Sequence, residues 1–179
     1  MSDSEWIVEV DERDNLIGKI ERDLAHSPSD LKLHREAMVL LYTDANQVNF
    51  LLQLRSMKKR QLPGYWTLST TGHVDIDDIS PIDPEGYVTA AKREVKEEVG
   101  VSVKNLKLVG KQAQKIPENW SMMGIVTGEY EGELKLDTEE VCEVGVFDRK
   151  TVLEISDKLT PGAKACLEYL GILDKEEKL

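Results

Sequence analysis

The stretch from Glu85 to Val101, EGYVTAAKREVKEEVGV, predicts an amphipathic helix around which the rest of the chain is organised. Asp83 suits the N-cap position and Pro84 suits the first helical position. Gly100 predicts the end of the helix, because a residue without Cβ adopts a left-handed C-cap most easily. At 3.6 residues per turn, one face of this helix is apolar. That face carries Val88, Ala91, Val95 and Val99.

Three carboxylates cluster on another face of the same helix, at Glu94, Glu97 and Glu98. Like charges three and four residues apart repel one another, so this cluster does not stabilise a helix. A divalent cation would make the cluster favourable, since carboxylate oxygens are ligands that Mg²⁺ and Mn²⁺ prefer. The plainer alternative for an acidic protein is a solvated helix face.

The spacing of these residues resembles the Nudix box, G-x5-E-x7-R-E-U-x-E-E-x-G-U, where U is apolar. The matching identities are Glu85, Arg93, Glu94, Glu97, Glu98 and Gly100. Six such identities coincide by chance in about one window in ten million. The opening glycine of the box would fall at position 79, which is Ile79. Gly72 is the nearest equivalent, so the box spans 72–101 with a loop insertion of seven residues.

This resemblance implies a Nudix-like α/β/α sandwich, of the α/β or α+β class, with a mixed central sheet and a catalytic loop–helix–loop. It implies that Glu94, Glu97 and Glu98 bind Mg²⁺ or Mn²⁺, with Glu97 or Glu98 also able to act on the attacking water. Arg93 would organise the box by pairing with a glutamate, for which Glu85 is the first candidate. The implied reaction is attack of water on phosphorus in a diphosphate linked to another moiety, with a nucleoside di- or triphosphate derivative as the expected substrate.

Basic and acidic residues outside the helix are further candidates for the site. Arg55 ends a predicted strand, and the following turn carries Lys58, Lys59 and Arg60. Arg55 and Lys59 are candidates for holding the substrate's phosphates, although an exposed turn explains three contiguous charges equally well. Glu140 and Glu143 are candidates for the general base, and solvated charges before a strand are the plainer interpretation of both.

A longer part of the chain resembles the isopentenyl diphosphate isomerase branch of the Nudix superfamily and its hydrolase relatives. The matching segments are VDERDNLIGKIERDLAH, LHREAMVLLY and LRSMKKRQLPGYWTLSTTGHV. In the isomerases, three histidines of these segments help to bind a metal. Their positions here are His26, His34 and His73, which makes them a candidate second metal site, with contact between His73 and substrate phosphate as the alternative.

Two departures from the isomerases favour hydrolase chemistry. Thr71 stands where the isomerases place a catalytic cysteine, and a hydroxyl is a much poorer acid and base for an allylic carbon than a thiol. The paired glutamates expected near 119–121 are missing apart from Glu118. We therefore predict a hydrolase relative of the isomerases. An isomerase, or a ligand-sensing Nudix domain without turnover, is the alternative.

The bulk properties limit the classes of partner. With 179 residues the chain is expected to form a single domain, and its net charge of −11 argues against general nucleic-acid binding. No apolar run is long enough to span a bilayer, and residues 1–14 carry no apolar signal region, so a cytoplasmic protein without a membrane is expected. The two cysteines are expected to be buried, reduced thiols. The expected binding partner is a small-molecule phosphoanhydride substrate. The sequence is compatible with a homodimer and does not determine the oligomeric state.

Alternation and turn signals divide the chain into elements. Residues 1–34 are expected to form a hairpin and loop extension, the insertion at 75–83 to border the substrate entrance, and 172–179 to be a frayed tail. The helix signals place one short helix at 148–155 and another from Thr160 to Gly171. The predicted strands are 5–12, 16–21, 35–42, 50–55, 67–74, 101–116, 122–130 and 141–147.

Overall fold

A computed structural model describes residues 5–174, in which strands and helices follow each other much as the patterns predict. The strands are β1 Trp6–Val10, β2 Leu16–Glu21, β3 His34–Tyr42, β4 Phe50–Arg55, β5 Trp66–Thr67, β6 Thr70–His73, β7 Ser102–Ile116, β8 Asn119–Glu131 and β9 Val141–Phe147. The helices are α1 Arg22–Ala25, α2 Tyr87–Glu94, α3 Arg149–Leu153 and α4 Pro161–Tyr169. Short 3₁₀ turns cover Ile76–Asp78 and Ser156–Lys158.

Strand β3 lies at the centre of a mixed sheet. It runs parallel to β8 over its whole length and antiparallel to β6, from Glu36 opposite His73 to Val39 opposite Thr70. Strands β7 and β8 form a long antiparallel pair, and β4 pairs antiparallel with β5 and β9. A hairpin between β3 and β4, which the turn at 43–49 predicts, is reduced to the pair Tyr42 and Phe50, because β6 occupies the same edge of β3 from Glu36 to Val39.

The two faces of the sheet carry separate cores. Successive residues of β3 point to opposite faces. Ala37 and Val39 pack on the side of α2 in the first core, and Met38 and Leu40 pack on the side of α3 and α4 in the second core. Helix α4 begins at its predicted N-cap, Thr160, whose hydroxyl accepts a hydrogen bond from the Ala163 N–H. A mixed sheet between helices confirms the predicted α/β/α sandwich.

The helix of the box begins later than its sequence signals indicate. Asp83 and Pro84 precede a turn, and α2 begins after Gly86, which has φ 76°. Asp83 still accepts a hydrogen bond from the Thr89 N–H, so its side chain stabilises the entry of the chain into the helix. Because the helix starts later, its core face is built from Tyr87, Ala90 and Ala91, and Val88 is only partly buried.

The second half of the box helix widens into a π-helical turn, Val95–Val99, and ends at Gly100 as predicted. The Gly100 N–H bonds to the Val95 carbonyl five residues earlier, and Gly100 has φ 67°. Turns of this kind are frequent at functional sites, because the extra residue changes the direction of the side chains beside it. Here that turn carries Glu97 and Glu98.

Other expectations are refined by the structure. The strand predicted over 67–74 is divided into β5 and β6, and of the two cysteines Cys166 is buried while Cys142 is exposed. Burial raises the pKa of the Cys166 thiol to about 12. Leu173, in the predicted tail, packs into the second core, and 175–179 lie outside the described residues. Within 5–174 no helix combines the length and apolar character needed to cross a bilayer.

Candidate active site

A polar cavity of about 880 Å³ gathers most of the predicted site residues. They come from the box helix, from the end of β4 and its following turn, from the C-cap of α1 and from β6. The predicted residues that line it are His26, Arg55, Lys59, His73, Arg93, Glu94, Glu97 and Glu98. The fold thus brings residues that are far apart in the sequence into one site.

The three box glutamates differ in exposure. The Glu97 side chain is 59% exposed, whereas that of Glu94 is 13% exposed and lies against Gly72. A Cβ at Gly72 would lie 2.2 Å from Glu94 Oε1, so only glycine leaves room for this carboxylate. Burial raises the pKa of the Glu94 carboxyl to about 7, although the adjacent Arg93 acts in the opposite direction. The glutamate face is therefore only partly solvated, and a bound cation would relieve its desolvation.

Glu98 is buried and held by two donors that the sequence analysis did not single out. Its Oε2 accepts hydrogen bonds from Gln53 Nε2 at 2.9 Å and from Thr70 Oγ1 at 2.5 Å. Burial raises the pKa of Glu98, while these two hydrogen bonds lower it. Gln53 is the one polar residue in the apolar run FLLQL, which is the signal that could have marked it.

Arg93 pairs with a glutamate as predicted, but the glutamate is Glu94 and not Glu85. Arg93 donates to Asp78 Oδ2 at 2.9 Å and to Glu94 Oε1 at 2.6 Å, and its guanidinium also bonds the His73 carbonyl. Glu85 instead pairs with Lys111. The helix starts after Glu85, so this residue lies on the loop and points away from Arg93's partners. Asp78, contributed by the insertion, takes its place.

Arg55 at the end of β4 and the lysines of the following turn line the cavity, and all three are already engaged. The Arg55 guanidinium donates to the Gln61 carbonyl at 2.9 Å. Lys59 forms an ion pair with Glu140, and Lys58 pairs with Glu139. Of the two candidate bases, Glu140 therefore lines the cavity, whereas Glu143 is exposed on β9 and is not among the lining residues.

The three histidines converge, as the isomerase resemblance implies, with their ligand atoms all within 4.8 Å of one another. Each Nδ1 lies 2.9–3.2 Å from an oxygen, which can only accept, so each Nδ1 carries the hydrogen. Those oxygens belong to the Glu118 carbonyl for His26, the Lys32 carbonyl for His34 and the Glu5 carboxylate for His73.

In its neutral form, each imidazole with its hydrogen on Nδ1 directs the lone pair of Nε2 into the cluster. His26 Nε2 lies 3.0 Å from His73 Nε2, and His34 Nε2 is buried and finds no hydrogen-bond partner among residues 5–174. The pKa of His26 is lowered to about 4, mainly by burial, and the pKa of Glu5 is lowered to about 2 by its hydrogen bond with His73. Converging lone pairs repel unless a cation lies between them, so this donor set fits a metal ion.

Comparison with known proteins identifies the family of the chain. The NUDIX domain matches residues 32–170, which is most of the sequence, and the chain belongs to this family. The uncharacterized Nudix hydrolase PA4841 of Pseudomonas aeruginosa is 29% identical over 153 residues, which cover 86% of this chain and 84% of that protein. An isopentenyl-diphosphate Delta-isomerase of Streptomyces coelicolor is 34% identical over 141 residues, covering 74% of this chain and 66% of the isomerase.

Solved structures show the same fold. DR0079 from Deinococcus radiodurans superposes with a TM-score of 0.71 at 16% identity, covering 92% of this chain and 98% of its own. A MutT protein from Methanosarcina mazei has a TM-score of 0.60 at 22% identity, covering 78% and 93%. Relatives thus include both Nudix hydrolases and isomerases, as the two resemblances in the sequence predict.

Proposed function

We propose that this protein hydrolyses a phosphoanhydride, with Mg²⁺ or Mn²⁺ held by Glu94, Glu97 and Glu98. The observation that carries the proposal is the intact glutamate cluster in a cavity that also contains the cationic side chains of Arg55 and Lys59. Nudix hydrolases generally use divalent metals, which neutralise charge on the phosphate oxygens when bound. The carboxylates fit such an ion, because they are desolvated, mutually repulsive and rich in oxygen ligands.

The roles of the individual side chains follow from their contacts. Gln53 and Thr70 fix Glu98, and Arg93 and Gly72 fix Glu94, so both carboxylates are oriented before an ion arrives. Arg55 and Lys59 would bind the phosphates of the substrate. Glu97, which is exposed, and Glu140, which pairs with Lys59, are the two carboxylates available to take a proton from the attacking water.

Hydrolysis is favoured over isomerisation by the walls of the cavity. Its lining residues are polar or charged apart from Gly72, whereas an isoprenyl chain is bound best by apolar side chains. Thr71 lines this cavity at the position where the isomerases place their cysteine. The complete glutamate cluster likewise favours turnover over a ligand-sensing role. The substrate we propose is a small molecule in which a diphosphate joins a nucleoside or another polar moiety.

A substrate panel tests the proposed reaction. Nucleoside di- and triphosphates, dinucleotides, nucleotide sugars and prenyl diphosphates are incubated with the protein and Mg²⁺ or Mn²⁺, and release of phosphate or monophosphate is measured. We expect metal-dependent cleavage of a phosphoanhydride. Isomerisation of a prenyl diphosphate without cleavage would contradict the proposal.

The variant Glu97→Gln tests the site. It removes a charge but preserves size, so the rate should fall about a hundredfold, which is about 2.7 kcal/mol of barrier. The melting temperature without metal should stay level or rise, because one repulsive charge is lost. Glu154→Gln, an exposed change after α3, is the matched control. Normal turnover in both Glu97→Gln and Glu98→Gln would exclude the helix from the mechanism.

We also propose that His26, His34 and His73 hold a second metal ion, of a late transition metal such as Zn²⁺. Neutral imidazole is a good ligand for such ions, and the three inward Nε2 atoms support this assignment. Metal analysis of protein purified without a histidine tag tests it. Absence of any bound transition metal after Zn²⁺ is supplied would contradict it.

A further inference from the structure

We propose that Glu36 is the fourth protein ligand of the histidine cluster, so that the cluster forms a site of three nitrogens and one carboxylate oxygen. This inference rests on the proposed second metal at His26, His34 and His73. Glu36 carries no role in the box or in any motif of the sequence. Its position next to the cluster is a product of the sheet register alone.

Strand geometry brings Glu36 to the histidines from two directions. It stands two residues after His34 on β3, and residues two apart on a strand share a face. It also lies directly opposite His73 in the antiparallel pairing of β3 with β6. Glu36 Oε1 is consequently 3.8 Å from His34 Nε2 and 3.7 Å from His73 Nε2.

These separations are close to the distances between neighbouring ligand atoms around one metal ion. For a tetrahedral ion with bonds of about 2.0–2.1 Å, neighbouring ligand atoms are about 3.3 Å apart. The separation between His26 and His73 is 3.0 Å, and the two separations from Glu36 are 3.7 and 3.8 Å. Glu36 therefore lies at ligand-to-ligand distance from two of the three histidines whose ligand atoms converge.

Hydrogen bonding alone does not account for this arrangement. His34 and His73 use their Nδ1 hydrogens for other oxygens, so in the neutral imidazoles the Nε2 atoms that face Glu36 are acceptors. A separation of 3.7 or 3.8 Å is also too long for a hydrogen bond. A carboxylate beside two lone pairs is unfavourable in isolation and becomes favourable with a divalent cation between them.

Neighbouring groups orient both the carboxylate and the imidazoles. Asn119 Nδ2 donates to Glu36 Oε1 at 3.0 Å, and Glu5 accepts from His73 Nδ1 at 3.2 Å. Both contacts fix the direction of a ligand, and the Glu5 carboxylate also raises the basicity of His73. Glu5 and Asn119 are therefore positioning residues for the site.

The two proposed metal sites lie in one cavity but differ in their donor atoms. They are therefore expected to bind different metal ions. Three imidazole nitrogens with one carboxylate favour Zn²⁺, Co²⁺ or another transition metal, whereas the oxygen-only glutamates of the box favour Mg²⁺ or Mn²⁺. Both His26 with Glu36 and Glu94 with Glu97 line the same cavity. The protein is therefore expected to bind one equivalent of Co²⁺ or Zn²⁺ that excess Mg²⁺ does not displace.

Titration of metal-free, untagged protein with Co²⁺ tests the role of Glu36. Visible absorption of the bound ion reports its ligands, and the titration gives its Kd, with excess Mg²⁺ occupying the box. We expect one equivalent in the parent protein, a Kd weakened at least about tenfold in Glu36→Gln, and a greater loss in Glu36→Ala. Glu36→Gln can still accept from Asn119, so its fold is the less disturbed of the two.

Two controls separate this inference from the proposed function. Glu129→Gln, on β8 outside the cavity, should bind Co²⁺ like the parent. Glu97→Gln should lose hydrolysis but keep Co²⁺ binding, and Glu36→Gln should show the weakened binding whether or not a substrate is known. Parent-like affinity and absorption in both Glu36 variants would overturn the inference, as would a parent protein that binds no Co²⁺.

Discussion

Gly72 shows how a single missing side chain determines the geometry of the site. It lies on β6 opposite Ala37, and Glu94 fills the space above it. Gly72 is the nearest equivalent of the opening glycine that the resemblance to the Nudix box implies. The structure gives the physical reason for a glycine here, which is direct contact with a carboxylate of the site rather than an unusual backbone angle.

The variant Gly72→Ala should impair the site and preserve the fold. The new Cβ would lie 2.1 Å from Glu94 Cδ, and the flexible end of Glu94 must move away. We expect hydrolysis to fall about a hundredfold, because one metal ligand is displaced. Gly18→Ala, where nothing lies within 4 Å of the new Cβ, is the control. Unchanged metal-dependent turnover in Gly72→Ala would show that Glu94 is not needed where it lies.

At the scale of the element, the insertion at 75–83 has two functions. Asp75 lines the cavity, as expected for a loop at the entrance. Asp78 is buried and accepts two bonds from Arg93, while Ile76 and Ile79 pack against the first core. The insertion therefore also supports the box helix, which the sequence analysis did not anticipate.

Asp78→Asn should destabilise the protein and weaken metal binding together. Hydrogen bonds to charged groups contribute about 1.5–3 kcal/mol each, and the change removes the most buried of the anions that pair with the Arg93 guanidinium. We expect the free energy of unfolding, measured in urea, to fall by about 2 kcal/mol. The control Asp77→Asn alters a neighbouring residue of the same turn that does not line the cavity. Equal stability of the two variants would contradict the supporting role.

At the scale of the whole molecule, a buried ionic network joins the N-terminal extension to the sheet and the box. Arg35 on β3 donates to the carboxylate and carbonyl of Asp14 at 2.7 Å, and to the Glu85 carbonyl at 3.0 Å. Tyr87 on α2 and Lys111 on β7 also donate to the Asp14 carboxylate. The turn between β1 and β2 is therefore attached to three other elements through one aspartate.

Asp14→Asn should cost about 3 kcal/mol of stability, because the amide leaves the buried Arg35 without its counter-charge. Residue 14 has a left-handed backbone with φ 64°, which asparagine tolerates. The loss of stability therefore reports the lost charge and not backbone strain. The melting temperature should fall by about 6–12 °C in a calorimetric scan. Asp30→Asn, which removes an exposed pair with Lys32, should change it little. A small effect at Asp14 would show that the network is dispensable.

The sequence by itself determined the features that depend on local periodicity. The glutamates three and four residues apart, the end of the helix at Gly100, the N-cap at Thr160 and most strands were all predictable, because apolar spacing and cap chemistry act between near neighbours. The family resemblances added the convergence of the three histidines, which spacing alone does not give.

Only the tertiary structure decided which distant groups meet. Arg93 bonds Asp78 rather than Glu85, Gln53 and Thr70 reach Glu98, and Glu36 lies beside His73. Each of these contacts depends on strand register or on the path of a loop, and a shift of one residue in register would turn Glu36 to the other face of the sheet. The register and loop paths that produce these contacts are stabilised by the burial of apolar surface on both faces of β3. That surface is separate from the polar groups that the fold brings together.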